Sequence, residues 1–289
     1  MSGTLSVEEA FAHCEARARA HYENFPVGLF VPKARRPYVH AIYAFARAAD
    51  DFADEPMYEG HRREKLDQWE QRLHAAYEGE AQDPIFIALA ETVRRLSIPK
   101  QLLLDLLSAF RQDVEKSRYE TWDELLDYCR RSADPVGRLV LLIFEQHDPE
   151  LLPLSDALCT GLQLANHWQD LAIDLSRDRV YAPRELLERF HVKPWEMNAG
   201  EMTEGFRALM GELVARTRPF FERSRSIGDR VGRELRFELR LTWLGGSSIL
   251  DRIEAVGGDV FHHRPHHSLF AKAALAWRAW RWRSAPLFA

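Results

Sequence analysis

Residues 43 to 54 read Tyr43-Ala-Phe-Ala-Arg47-Ala-Ala-Asp50-Asp51-Phe-Ala-Asp54, and residues 163 to 174 read Gln163-Leu-Ala-Asn166-His-Trp-Gln-Asp170-Leu-Ala-Ile-Asp174. At 3.6 residues per turn, Tyr43, Arg47, Asp50 and Asp54 share one narrow helical stripe, and Gln163, Asn166, Asp170 and Asp174 share another. The flanks, among them Phe45, Phe52, Leu162, Leu164, Trp168, Leu171 and Ile173, are too apolar for a solvated helix surface. Carboxylates one turn apart repel each other unless something positive sits between them. One source of that charge is Arg47 and neighbouring cations, pairing with Asp50, Asp51 and Asp54 at a helix end. The other is a divalent ion. Hard oxygen donors with no cluster of Cys or His beside them favour Mg²⁺, held by one or two carboxylates plus substrate phosphates. Two such rows on apolar helices favour the metal, with Asp50, Asp51, Asp54, Asn166, Asp170 and Asp174 as its candidate ligands. The expectation is that the rows face each other around a diphosphate.

A chain of 289 residues with 46% hydrophobic content can bury a large core. No Pro/Gly/Ser-rich linker, low-complexity run or internal repeat divides it, so one domain over 1–289 is expected, with residues 265–289 a basic, aromatic tail. The first residues lack the basic-then-apolar order of a signal peptide, and no uncharged apolar run reaches spanning length, so the expected location is the cytoplasm. Cys14, Cys129 and Cys159 suit neither a disulfide framework nor a zinc site. A net charge of −5 without a broad basic face argues against nucleic acid as a partner. Helical periodicity runs over about 5–20, 33–54, 59–78, 85–95, 98–117, 121–130, 135–146, 151–175, 202–225 and 229–255, and almost nothing alternates with period two. Pro56 and Pro183 are expected to stop the two acidic helices. The predicted fold is all-α, a helical bundle whose acidic pairs point into a central cavity.

In order along the chain stand His21-Tyr-Glu-Asn24-Phe25, Tyr43-x-x-x-Arg47-x-x-Asp50-Asp51-x-x-Asp54, Asp127-Tyr128-Cys129, Gln163-x-x-Asn166-x-x-x-Asp170-x-x-x-Asp174 and Arg179-Val-Tyr181-Ala-Pro183. This series, from about residue 11 to 264, resembles the squalene and phytoene synthases. The resemblance implies the isoprenoid synthase fold, with Asp50, Asp54, Asp170 and Asp174 as Mg²⁺–diphosphate ligands. It also implies substrate-binding roles for His21, Asn24, Phe25, Tyr43, Arg47, Gln163, Asn166, Arg179 and Tyr181, and places Tyr128 in the catalytic set. Several positions depart from the condensing members. The small-residue stretch after Tyr128-Cys129 is Arg130-Arg131-Ser132-Ala133-Asp134-Pro135, where Asp-Pro is expected to cap and restart a helix. Gln169 and Ile173 stand where the family has Arg and Glu. With the short segment from Asp174 to Arg179 and Gly257-Gly-Asp-Val-Phe261, these features look like the branch that forms hydroxysqualene for bacterial hopanoids.

That branch implies ionisation of presqualene diphosphate, an isoprenoid diphosphate, in a dry cavity. Mg²⁺, Arg47 and Arg179 would neutralise the leaving group. Asn166 would add an amide oxygen ligand, and Gln163 would hydrogen-bond the reacting end. Phe25, Tyr43, Phe45, Tyr128, Leu162 and Leu164 are candidate walls, each aromatic face worth about 1 to 2 kcal/mol to a cation; for Phe45 and Leu164 an ordinary core role is equally open. Water, rather than hydride from NADPH, would end the cation. His167 and Tyr128 are considered as its anchors, with a structural hydrogen bond favoured for His167. The rivals are a condensing synthase joining two prenyl diphosphates and a non-catalytic binding protein. The histidine-rich run 261–267 is expected to be a solvated loop, with Arg264 a cation near the diphosphate. The tail mixes Trp277, Trp280 and Trp282 with Lys272, Arg278, Arg281 and Arg283. Packing on the domain is favoured for it over peripheral attachment to a membrane, which stays open.

Overall fold

The computed structural model describes residues 5–20 and 31–282. Among them the helices are α1 Val7–Ala20, α2 Arg36–Asp54, α3 Arg62–Glu78, α4 Pro84–Leu96, α5 Lys100–Glu115, α6 Trp122–Ser132, α7 Asp134–Ile143, α8 Leu152–Gln169, α9 Leu171–Ser176, α10 Arg184–Arg189, α11 Pro194–Asn198, α12 Glu204–Ser224, α13 Ile227–Arg230, α14 Arg233–Ala255 and α15 Leu269–Arg281. The β structure among the described residues is one isolated parallel bridge between Arg118 and Val180. The all-α expectation holds.

Local chemistry sets most boundaries. Asp83 caps α4 by accepting from the Ile85 N–H, Thr203 caps α12 through the Phe206 N–H, and Ser268 caps α15 through the Ala271 N–H. Glu55, extended ahead of Pro56, ends α2 as expected. The expected helix 151–175 is instead broken at Asp170, and its stop comes from a turn with Asp178 at φ 57°, while Pro183 begins α10. The break before Pro135 is as expected. Its cap is not: Ala133 holds the N-cap position without a side-chain bond, and Asp134 lies buried in the first turn.

Contacts divide the chain into two compact units, Met1–Lys116 with Arg131–Asp148, and Ser117–Arg130 with Pro149–Ala289. In the first, α2 is the central helix and packs on α1, α3, α4, α5 and α7. Its buried face, Ala41, Ala44, Phe45, Ala48, Ala49 and Ala53, is mostly alanine, which lets neighbours approach closely. Phe45 fills the resulting centre, 6.1 Å from the Trp69 ring and 6.0 Å from Phe86, and its carbonyl accepts from Trp69 Nε1 at 3.3 Å. Burial of one such side chain contributes about 1.5–3 kcal/mol.

In the second unit α8, α12 and α14 pack on one another. Trp168, fully buried, donates to Thr217 Oγ1 at 2.8 Å, and Trp243 donates to the Phe221 carbonyl at 2.7 Å. Gly246 brings α14 against α8: a Cβ there would stand 2.4 Å from Leu162 Cδ2 and 2.9 Å from the Phe221 ring.

Candidate active site

The first acidic row lies at the C-terminal end of α2. Tyr43, Arg47, Asp50 and Asp54 are all half-buried, on the side away from the alanine face. Arg47 Nη1 is 3.2 Å from Asp50 Oδ2, and Arg47 Nε is 2.8 Å from Asp51 Oδ1. Arg17 of α1 closes on Asp51 Oδ2 at 2.8 Å. Asp51, named above among the candidate metal ligands, is the more enclosed of the two neighbouring aspartates. Its two oxygens face two guanidiniums and its side chain is only 14% exposed, against 39% for Asp50. Asp51 is therefore ion-paired to both arginines, and Asp50 is the more exposed of the two neighbours. Phe45 is core, as is Leu164 in the other unit.

The second row runs through the helix break. Asp170 caps the end of α8 yet keeps the hydrogen-bond ladder, donating from its N–H to the Asn166 carbonyl at 2.8 Å and accepting from the Asp174 N–H at 2.9 Å. Asp170 and Asp174 therefore stay one turn apart across a bend. Gln163 is half-buried and Asn166 exposed.

Beside this row stands a buried aromatic wall. The segment 178–185 runs along 117–120: Val180 donates to the Ser117 carbonyl at 2.9 Å, Arg184 to Tyr119 at 2.8 Å and Glu185 to Glu120 at 3.1 Å. This lays Tyr181 on His167, with ring centroids 3.6 Å apart and planes at 17°. Tyr119 and Tyr128 complete the wall, 5.8 and 6.1 Å from Tyr181. Burial pushes the His167 pKa down to about 3, so the ring is neutral. The Gln163 amide nitrogen lies 3.3 Å from His167 Nε2. An amide N–H can only donate, so Nε2 accepts and the ring proton sits on Nδ1. The structural hydrogen bond expected for His167 is present.

A strap from the C-terminal side closes on α8. Arg264 Nε donates to Asp170 Oδ1 at 2.7 Å, Gln169 Nε2 donates to the Pro265 carbonyl at 2.5 Å, and His267 Nε2 lies 3.1 Å from the Gly245 carbonyl. The Asp170 bond raises the Arg264 pKa further. The histidine-rich run is a loop of mostly exposed residues, and among the described residues no three His, Cys, Asp or Glu side chains gather as a metal cluster. Arg179 donates its N–H to the Asp174 carbonyl at 2.8 Å. His21, Asn24 and Phe25 lie outside the described residues. Sequence reasoning missed Arg17 and Tyr119. An arginine three residues after the buried Cys14 in α1 was the available sign of the first; Tyr119, just before a helix, carried none.

The model of the family "Squalene/phytoene synthase" matches residues 17–271, a stretch that takes in parts of both compact units. The chain belongs to that family, whose members are isoprenoid synthases acting on isoprenoid diphosphates. It is 36% identical to hydroxysqualene synthase of Zymomonas mobilis, over 70% of this chain and 68% of that protein. To 15-cis-phytoene synthase of Synechocystis it is 31% identical, over 90% of this chain and 81% of that one. The crystal structure of squalene synthase HpnC from Alicyclobacillus acidocaldarius superposes with a TM-score of 0.83 at 43% identity, covering 88% of this chain and 97% of the other. The fold is that of the isoprenoid synthases.

Proposed function

We propose that this protein ionises presqualene diphosphate and lets water capture the rearranged cation, giving hydroxysqualene. The observation that carries the reading is the pairing, within one unit, of a carboxylate row with a neutral aromatic wall: Asp170 and Asp174 beside Tyr128, His167 and Tyr181. Anionic oxygens suit a cation-bound diphosphate, and aromatic π faces stabilise cationic carbon by electrostatic attraction.

The donor chemistry fits Mg²⁺. Each row offers two part-exposed carboxylates one turn apart and no soft ligand, which matches an ion that takes few protein ligands and completes its shell with water and phosphate. Asp50 with Asp54 would hold such an ion in one unit, and Asp170 with Asp174, with Asn166 as an amide oxygen donor, would hold one in the other. Mg²⁺ bound there would supply Lewis-acid neutralisation of the leaving diphosphate's charge. Arg47, held at the head of its row by Asp50 and Asp51, adds fixed positive charge. The C–O bond breaks with its electron pair passing to the diphosphate oxygen. After rearrangement a water oxygen adds to the cation and gives up one proton, so the products are hydroxysqualene, diphosphate and a proton. Gln163, its amide nitrogen committed to His167, keeps its carbonyl oxygen free to accept from that water.

The second reading, a synthase condensing two prenyl diphosphates, draws on the phytoene synthase relative, which matches more of the chain. One assay separates the two. Purified protein with Mg²⁺ is given presqualene diphosphate or farnesyl diphosphate, with and without NADPH. Hydroxysqualene from the first substrate without NADPH is expected; presqualene diphosphate formed from the second supports condensation, and no turnover of either overturns both.

A further inference from the structure

Helix α15 packs on α14 through Leu275 and Ala279 and leaves its opposite face bare. On that face Leu269 is 83% exposed, Phe270 90%, Trp277 56% and Trp280 68%. At 100° per residue these four side chains span about a third of the helix circumference, a continuous apolar stripe rather than scattered exposure. Trp277 and Trp280 lie against each other with centroids 5.1 Å apart, and the Arg281 guanidinium stands 5.6 Å from the Trp277 ring. The charge carried by this stretch of the chain itself has one sign. Beyond Asp259 the sequence has no Asp or Glu, yet it holds Arg264, Lys272, Arg278, Arg281 and Arg283 in a chain whose net charge is −5.

We propose that α15 docks this protein on an anionic lipid bilayer, with its tryptophan face in the headgroup layer and its arginines on the lipid phosphates. Tryptophan and phenylalanine flanked by cations are the composition of a helix that lies in the interface, and polybasic segments are drawn to anionic headgroups. Among the described residues no helix is long and apolar enough to cross a membrane, so contact would be from one side. Attachment through Leu275 and Ala279 fixes the stripe outward before any lipid is met. A second copy of the chain suits the surface less well, since two such cationic faces repel. The proposal concerns a surface outside the reaction assigned above and is tested without substrate.

The full chain is sedimented with vesicles of phosphatidylcholine mixed with phosphatidylglycerol, and with vesicles of phosphatidylcholine alone. Binding to the anionic vesicles, weakened by salt, is expected. The variant F270S/W277S/W280S should lose at least about tenfold in partitioning. K272E/R278E/R281E should lose the preference for phosphatidylglycerol, and it carries the test alone if the first variant fails to keep the native circular dichroism spectrum. Native protein that stays in the supernatant with anionic vesicles overturns the proposal, as does binding that neither set of substitutions changes. So does a native dimer that the serine variant dissociates, which would give the stripe to a second copy.

Discussion

Asp50 and Asp51 are neighbours in sequence and opposites in environment. Asp50 is 39% exposed and lies 3.2 Å from Arg47, whereas Asp51 is 14% exposed and held between Arg17 and Arg47. Substituting them should separate two effects. Asp50→Asn or Asp174→Asn is expected to cut turnover by well over about tenfold with little change in melting temperature, because each would remove a proposed metal ligand from a part-exposed position while the helix keeps its packing. Asp51→Ala is expected to lower stability by about 1–3 kcal/mol, seen as a lower urea midpoint, because two part-buried guanidiniums lose their counter-ion. Equal loss of activity at full stability in all three would contradict the distinction. The aspartate spacing was legible in the sequence. The division of labour was not, because Arg17 reaches Asp51 from 34 residues away.

At the scale of elements, the packing of α14 on α8 depends on a missing side chain. Gly246→Ala would drive a methyl into Leu162 and Phe221, and a cost of about 1–3 kcal/mol is expected from chemical denaturation. The strap from the 261–268 loop is different in kind: Arg264 and Asp170 are 55% and 29% exposed, and an exposed pair is worth at most about 1 kcal/mol. Its consequence is competition. Arg264 occupies an oxygen that Mg²⁺ would need, so Arg264→Ala should tighten Mg²⁺ binding severalfold in calorimetry while barely moving the melting temperature; weaker binding would show that the arginine assists the ion instead. Gln169 donates to the Pro265 carbonyl and helps seat the same strap. Pro56 marked the end of α2 as expected, whereas Pro183 and Asp134 did not stop and cap the helices as expected of them. The bend at Asp170 was not legible, since the amphipathic pattern runs straight through it and only the packing around it shows where the axis turns.

For the whole molecule, two buried titratable groups pull the pH dependence of stability in opposite directions. His167 has its pKa lowered to about 3, so the unfolded chain binds a proton that the native state refuses; its stabilising contribution is present above the unfolded pKa and lost as pH falls toward 3. Glu238, with a buried carboxylate oxygen that has no partner, is raised to about 7 by desolvation. There the native state keeps a proton that the unfolded chain releases, so stability declines as pH rises from about 4.5 to 7. Glu238→Gln should therefore stabilise the protein at pH 8 and leave it little changed at pH 4. His167→Phe should remove the acid-side loss, both read from urea midpoints against pH. A Glu238→Gln variant that gains nothing at pH 8 would contradict the raised pKa.

The sequence by itself determined the all-α class, the two carboxylate rows and membership of the squalene/phytoene synthases, because helical period and motif spacing are local properties that survive without a folded context. Tertiary structure decided which carboxylates are paired, where α8 bends, that Phe45 and Leu164 belong to the core, and that α15 turns its tryptophans outward. Those outcomes depend on side chains brought together from distant parts of the chain, such as Arg264 and Asp170, 94 residues apart. Burial and pairing are set by that long-range packing, and no local pattern of residues encodes it.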